Sequence, residues 1–242
     1  MPTGAESTPV MRLVCLPYAG GSAAVYRRWN ATLGPRFPVV AVELPGHGRR
    51  IGEPLRTSAT SMVDLLVHEL ITDLSAGPFA IFGHSMGGLL AFQLTHELVR
   101  RGLPVPMRLF LSAARPPGSG GHSPLHDLPR AELVAVLDRL NGAPAEVLAS
   151  QELMELLLPT IRADLYVAET WSFRPTEPLG VAVSLLGGLA DPLTTAEEMD
   201  GWRPYFTGEV ERRDYAGDHF YLNTRTDVLL HDLKDAMSRA QA

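Results

Sequence analysis

Three residues whose types together perform acyl transfer occur along this chain in a set order: Ser85, Asp191 and His219. Ser85 stands in Gly83-His84-Ser85-Met86-Gly87, a G-x-S-x-G pattern. The apolar run Phe79-Ala80-Ile81-Phe82 precedes it, and a helical apolar pattern (Leu89, Leu90, Phe92, Leu94, Leu98) follows. A serine hydroxyl is a weak nucleophile unless it is exposed, set beside a base and placed at a helix N-terminus. A sharp strand-to-helix turn meets all three needs. It also strains the serine backbone and brings strand and helix so close that Gly83 and Gly87 have no room for side chains. The helix after the turn aims its first N–H groups at the site, which favours a developing negative charge. Taken alone, the five residues also fit a Gly-rich turn with a capping serine.

The base must be a histidine on another loop at the same sheet edge. Of the eight histidines, only His219 lies just past a late strand-like run. His84 sits inside the turn and is expected to point away from the hydroxyl. His68, His96 and His231 fall on helical patterns, where a surface polar role is expected, and His122 and His126 lie in or near a hinge. The acid that orients the base should also end a strand. Asp191 does so, after Gly187-Gly188; Asp218 is too near His219 in sequence to hold its ring well, and Asp214 precedes the turn. The order Ser85, Asp191, His219 is that of α/β-hydrolases. The oxyanion is expected to be held by the backbone N–H of Met86 and by that of Ala19, in the loop Pro17-Tyr18-Ala19-Gly20-Gly21-Ser22. That loop lacks G-x-G-x-x-G spacing, which argues against dinucleotide binding. The expected chemistry is ping-pong, with His219 taking the Ser85 proton and later activating water.

Other candidates are weaker. His47, in Leu44-Pro45-Gly46-His47-Gly48-Arg49-Arg50, is either a site contact or a support for its turn. His68-Glu69 and His96-Glu97 each begin a zinc-helix pattern, but Thr72 and Arg100 stand where the second histidine belongs, so no metal site is expected.

Positioning these groups takes an alternation of strands and helices, which predicts an α/β fold: a mostly parallel central sheet with helices on both faces. Strands are expected at Met11–Leu16, Phe37–Glu43, Phe79–Phe82, Met107–Ser112 and Val181–Leu186, with a weaker edge strand at Glu209–Arg213. Helices are expected at about Ala23–Leu33, Thr60–Leu74, Thr195–Tyr205 and Thr226–Arg239. Between the fourth and fifth strands the alternation stops. Arg115–Ser123 is Pro/Gly/Ser-rich, with Pro116-Pro117-Gly118 as a hinge, and helical patterns follow at Ala131–Leu140, Ala145–Leu158 and Pro159–Trp171. The expectation is one domain over residues 1–242 with a helical lid inserted at 115–175. The alternative is a helical subdomain that only adds stability.

The chain has 242 residues, 45% of them hydrophobic, which suits one large α/β domain. Its net charge of −6 gives no argument for a nucleic-acid partner. The single cysteine, Cys15, lies in an apolar run and reads as a small core residue, with no intrachain disulfide possible. Met1–Pro9 has neither a basic start nor an apolar stretch, so no secretory signal is expected, and no run is long enough to span a membrane. A soluble, cytoplasmic protein follows as the expectation.

Taken together, several stretches resemble the type II thioesterases that accompany polyketide synthases and nonribosomal peptide synthetases. They are Leu16-Pro17-Tyr18-Ala19-Gly20-Gly21-Ser22, Glu43-Leu44-Pro45-Gly46-His47-Gly48-Arg49, Gly83-His84-Ser85-Met86-Gly87-Gly88, Gly188-Leu189-Ala190-Asp191 and Gly217-Asp218-His219-Phe220-Tyr221-Leu222. The resemblance covers nearly the whole chain; Tyr18 departs from it, since the family commonly has histidine there. It implies the α/β-hydrolase fold and a serine thioesterase that removes aberrant or short acyl groups from carrier proteins. The acyl group would ride on the phosphopantetheine arm of an acyl carrier or peptidyl carrier protein domain, and the enzyme would need no cofactor of its own and act as a monomer. Carrier proteins are generally acidic, so docking on this acidic chain would use a local basic cluster, with Arg27-Arg28, Arg49-Arg50 and Arg100-Arg101 as candidates. The alternatives are a small-molecule carboxylesterase or lipase with the same triad and a non-catalytic binding module. An aspartate-nucleophile dehalogenase or epoxide hydrolase is disfavoured because the elbow carries serine.

Overall fold

The computed structural model describes residues 10–119, 123–173 and 177–241; the Met1–Pro9 stretch and His122 lie outside the described residues. The chain opens with β1 (Arg12–Leu16), a 3₁₀ turn at Ala23–Tyr26, α1 (Trp29–Leu33), β2 (Val39–Ala41) and a second 3₁₀ turn at Gly48–Arg50. It continues through α2 (Ala59–Ser75), β3 (Phe79–His84), α3 (Met86–Arg100) and β4 (Arg108–Ser112). Three helices follow, α4 (Arg130–Arg139), α5 (Ala145–Ala149) and α6 (Gln151–Thr170), and then β5 (Ala182–Gly188) and α7 (Ala196–Asp200). A 3₁₀ turn at Arg203–Tyr205, β6 (Val210–Tyr215), α8 (Tyr221–Thr224) and α9 (Thr226–Ala240) complete it.

The six strands form one parallel sheet in the order β2-β1-β3-β4-β5-β6. The order reverses between β1 and β3, and in open α/β sheets a ligand crevice lies beyond the strand C-termini at such a reversal. Strand side chains alternate between the two faces. Leu13, Cys15, Ala80, Phe82 and Phe110 enter one apolar layer, closed by Trp29 and Leu33 of α1 and Leu229, Leu230 and Leu233 of α9. Val14, Leu16, Ile81, Leu109 and Leu111 enter the other, closed by Leu66 and Leu70 of α2 and Leu90 and Leu94 of α3. Burying each of the valine, leucine, isoleucine and phenylalanine side chains among them contributes about 1.5–3 kcal/mol. Cys15 is fully buried, and burial pushes its thiol pKa up.

The sequence reading of an α/β fold with a weaker edge strand agrees with this sheet: among the described residues β6 pairs only with β5, and it carries Glu211, Arg212, Arg213 and Asp214. Charges on an edge discourage pairing with another chain. At the N-terminal end of β4, Arg108 is 2% exposed. It donates to Ser184 Oγ (2.9 Å) and Glu211 Oε2 (3.0 Å) and also reaches Glu209.

Several boundaries differ from the sequence reading; the helix expected over Thr195–Tyr205, for one, is α7 and then a 3₁₀ turn. The expected helix over Ala23–Leu33 is a 3₁₀ turn and then α1. Tyr26 bends inward there, its hydroxyl donating to Leu16 O (2.8 Å) and its ring packing on Trp29 and Phe82. The strand expected over Phe37–Glu43 shrinks to Val39–Ala41, since only Leu13–Cys15 of β1 lies opposite. Pro159 does not break the lid helix: α6 runs unbroken over Gln151–Thr170. Pro159 is on the exposed side, where water can reach the Glu155 carbonyl it leaves without a donor. The true boundary is Ser150, whose side chain accepts from Leu153 N and caps α6.

The helices between β4 and β5 have a small core of their own, made by Leu133, Met154, Leu158 and Ile161. α6 is shared, because its Val167 belongs to the main core. No helix among the described residues is long and apolar enough to cross a membrane.

Candidate active site

At the end of β3 the chain turns through Ser85 with φ 53° and ψ −119°, and α3 begins at Met86. A non-glycine residue in that region costs about 1–3 kcal/mol and persists only where its surroundings enforce it. Here Ser85 N donates to Ser112 O (2.8 Å), fastening the turn to β4. A Cβ on Gly83 would lie 2.1 Å from Gly87 O, and one on Gly87 would lie 2.2 Å from Leu16 O. Strand, helix and the loop after β1 are therefore in direct backbone contact around the serine. Ser85 is half-buried, with its backbone N fixed.

Met86 N–H opens α3 and has no acceptor within the helix. The loop after β1 turns back on itself through Gly21 N to Tyr18 O (2.8 Å). Ala19 lies in this turn, whose N-terminal part rests on the first turn of α3.

His219 follows β6 and is 3% exposed. Its Nδ1 is 2.8 Å from Asp191 Oδ2. Asp191 lies in the turn after β5, and its other oxygen accepts from Leu193 N (2.8 Å) and Thr194 N (3.1 Å). One oxygen is thus spent on the loop and the other on the imidazole, which leaves Nε2 as the free ring nitrogen. Asp218 is engaged elsewhere, by Phe220 N (2.9 Å) and by Asn141 Nδ2 (2.8 Å) at the end of α4. Asp214 pairs with Arg212. Among the described residues no hydrogen bond joins Ser85 Oγ to His219; catalytic hydrogen bonds often tighten only when substrate is bound.

His84 is fully buried, its ring centroid 5.2 Å from that of His219. Its Nδ1 is 2.8 Å from Ser112 Oγ, which in turn lies 2.6 Å from Tyr221 OH. Burial, and then the neighbouring His219, hold the His84 pKa well below its usual value. A neutral ring beside His219 adds no charge that would oppose an imidazolium there. Tyr18 closes this wall, packing edge-on against Phe220 (4.8 Å) and His84 (5.7 Å). The sequence did not point to Ser112, a lone serine without a spacing signal, and it singled out Tyr221 only as part of the stretch around His219.

The remaining candidates fall away from the site or into supporting roles. His47 is 3% exposed, with Nδ1 3.0 Å from Pro45 O and Nε2 2.7 Å from Asp164 Oδ2 of α6. Both neighbours are acceptors, so only the doubly protonated ring donates to both. Burial lowers the His47 pKa, but the Asp164 hydrogen bond and charge outweigh it and the net shift is upward. His96 is not the surface residue expected: it is half-buried against Phe92 and Phe173 (4.6 and 4.7 Å), its Nε2 has no partner, and burial pushes its pKa down to about 4. His126 binds Glu169, while His68 and His231 are exposed, as expected for two of the helical histidines.

Of the basic clusters, Arg50 is held by Glu53 and Glu69, and Arg100 and Arg101 by Glu97 and, for Arg101, Asp64. Arg27, Arg28 and Arg49 are exposed and make no ion pair among the described residues. Arg27 and Arg49 flank a groove of about 400 Å³ also lined by Asn30 and Glu43.

A family model described as a thioesterase domain matches residues 11–237. The chain is 36% identical over 221 residues to the linear gramicidin dehydrogenase LgrE of Brevibacillus parabrevis, covering 88% of this chain and 82% of that one. It is 34% identical over 225 residues to the thioesterase PikA5 of Streptomyces venezuelae, covering 93% and 80%. Among solved structures, YbtT, described as a type II thioesterase from the yersiniabactin NRPS/PKS biosynthetic pathway, is 30% identical. It superposes with a TM-score of 0.86 over 100% of this chain and 98% of its own.

Proposed function

Since the chain belongs to the thioesterase family and is a thioester hydrolase, we propose that it works through an acyl-enzyme on Ser85. Its substrates would be acyl groups, aberrant or short ones, carried on the phosphopantetheine arm of acyl or peptidyl carrier proteins in polyketide or nonribosomal peptide biosynthesis. The observation that carries this reading is the strained Ser85 turn at the sheet edge where His219 and Asp191 pair at 2.8 Å.

The cycle has two halves. Ser85 Oγ attacks the thioester carbon as its proton passes to His219 Nε2, and Asp191 holds the resulting imidazolium through Nδ1. The N–H groups of Met86 and Ala19 donate to the negatively charged carbonyl oxygen; losing one such donor costs about 2.7–4 kcal/mol of barrier. The carbon–sulfur bond then breaks and the arm leaves as a thiol, taking the proton from His219. Water enters, gives a proton to His219, attacks the acyl-enzyme and frees the acid, with the proton returning to Ser85.

α4, α5 and the first half of α6 act as the lid over the acyl chamber in this reading. Trp202 Nε1 donates to Ala114 O (2.6 Å) and Tyr205 OH to Pro117 O (3.1 Å), so flexing is assigned to Gly118 rather than to both prolines. The exposed Arg27, Arg28 and Arg49 fit an acidic carrier by charge, whereas Arg50, Arg100 and Arg101 are already committed to acids of this chain.

The test is kcat/KM for one short acyl group presented on a carrier protein, on a small thiol and as an oxygen ester, with Ser85→Ala as the blank. The carrier thioester should be best and the blank inactive. If the oxygen ester is best, or the carrier makes no difference, the carrier role falls and a general esterase remains. An active Ser85→Ala protein overturns the covalent mechanism.

A further inference from the structure

Asp164 is a buried carboxylate, 1% exposed, on a helix that the proposed cycle does not use. One of its oxygens, Oδ2, receives two donors from two different loops at the active edge. Gly20 N–H approaches at 2.8 Å and His47 Nε2 at 2.7 Å. Four residues earlier on α6, Thr160 Oγ1 donates to Gly46 O (3.2 Å). Between them, Ile161 packs so closely on the loop after β1 that a Cβ on Gly20 would lie 2.7 Å from its Cγ1. One turn of α6 thus grips both the Tyr18–Gly20 turn and the Pro45–His47 turn.

Asp164 holds the Ala19–Gly20 peptide through Gly20 N, and the Gly21 N–H to Tyr18 O hydrogen bond (2.8 Å) holds the Tyr18–Ala19 peptide that carries Ala19 N–H, so the two planes on either side of the Ala19 Cα are each anchored. His47 in turn holds the carboxylate, and Pro45 O holds His47. The other charged group facing His47 is Glu43, itself fastened by Ala23 N (2.9 Å).

We propose that Asp164, clamped by His47, is a positioning residue that sets the loop after β1 so that Ala19 N–H faces the developing oxyanion. This rests on the reading of Ser85 as nucleophile and Ala19 as the second oxyanion donor. The clamp makes no contact with substrate. It acts by keeping the donor in place before the reaction, so its loss raises the barrier and leaves ground-state binding of the thioester alone.

The test uses the full chain and four proteins: wild type, Asp164→Asn, Asp164→Leu and the double variant His47→Leu with Asp164→Leu. Asparagine offers an oxygen to both donors and should keep kcat within about fivefold of wild type. Leucine removes the acceptor of Gly20 N–H, so kcat should fall by about 10²-fold with KM changed less than threefold. Affinity for a boronic acid, which forms a tetrahedral adduct on the serine, should fall by the same factor. The double variant leaves no unpaired buried charge and keeps the test open if the single leucine variant does not fold; its kcat should fall equally. A folded leucine variant, single or double, with kcat within threefold of wild type overturns the clamp. So does a parallel loss in Asn and Leu. Labelling of wild-type Ser85 by a fluorophosphonate separates the two readings: a labelled wild type with an active Leu variant sinks the clamp alone, whereas an unlabelled wild type sinks both.

Discussion

Asp191→Asn is the sharpest single change, because the loop around it dictates how the new side chain must sit. In the native protein Oδ1 accepts from Leu193 N and Thr194 N, and Oδ2 faces His219 Nδ1. An asparagine has one oxygen and one NH₂. The two backbone N–H groups need an acceptor, so the oxygen must stay with them and the NH₂ must face His219. Nδ1 then has to accept, and the ring carries its proton on Nε2 instead. A protonated neutral Nε2 has no lone pair to take the Ser85 proton, and the imidazolium that would form loses its carboxylate. The same inversion in a serine triad lowers kcat about 10⁴-fold, which is about 5 kcal/mol of barrier. Both backbone hydrogen bonds survive, so the fold should lose no more than about 1 kcal/mol. The assay is kcat and KM on a short acyl thioester of N-acetylcysteamine, beside a thermal melt. A variant that melts like wild type and keeps kcat within tenfold would mean that Asp191 does not orient His219 during turnover.

Three further changes probe the scaffold. Gly83→Ala drives a Cβ to 2.1 Å from Gly87 O; it should cost about 3 kcal/mol or more in urea unfolding, and a loss under 1 kcal/mol would show that the turn is looser than described. Arg108→Ala removes the buried partner of Ser184 and of two solvent-accessible glutamates and should lose about 1–3 kcal/mol of stability, while kcat/KM per folded molecule stays as in wild type; a change in kcat/KM would link the far end of β4 to the site. His96 has its pKa pushed down to about 4, so the folded protein refuses a proton that the unfolded chain accepts. Its contribution is present above the unfolded pKa of about 6.5 and is lost as pH falls toward about 4. His96→Leu should therefore melt less differently between about pH 7 and about pH 5 than wild type does, and an equal or larger difference refutes the assignment.

Much of the scaffold was readable because its signals are local. The apolar run before Gly83, the Gly-Gly turn after Val181–Leu186 and the amphipathic pattern of Glu209–Arg213 each announce an element by period and punctuation. The unreadable parts depend on contacts made across the fold. Tyr26 breaks its helix because Leu16 O lies behind it, and Pro159 is tolerated because it faces water. His96 looked like a surface residue because nothing near it in sequence reveals that Phe173 covers it. Ser85, Asp191 and His219 stood out through motif and chain order. Asp164 did not, because an aspartate in an amphipathic helix looks the same whether it meets solvent or a loop from the other end of the chain.

The backbone contact among Gly83, Gly87 and Leu16 O also bears on how this protein can change over time. A site so tightly joined leaves no neutral substitutions at its centre, since even a methyl group collides with main chain. Sequence drift, and any laboratory library aimed at new acyl preferences, is therefore channelled to the helices with a core of their own. Leu133, Met154 and Leu158 lie in a cluster apart from the two layers that hold the sheet. Under the proposed function, with these helices as the lid over the acyl chamber, diversity in what is accepted and constancy in how it is cleaved would reside in separable parts of one chain.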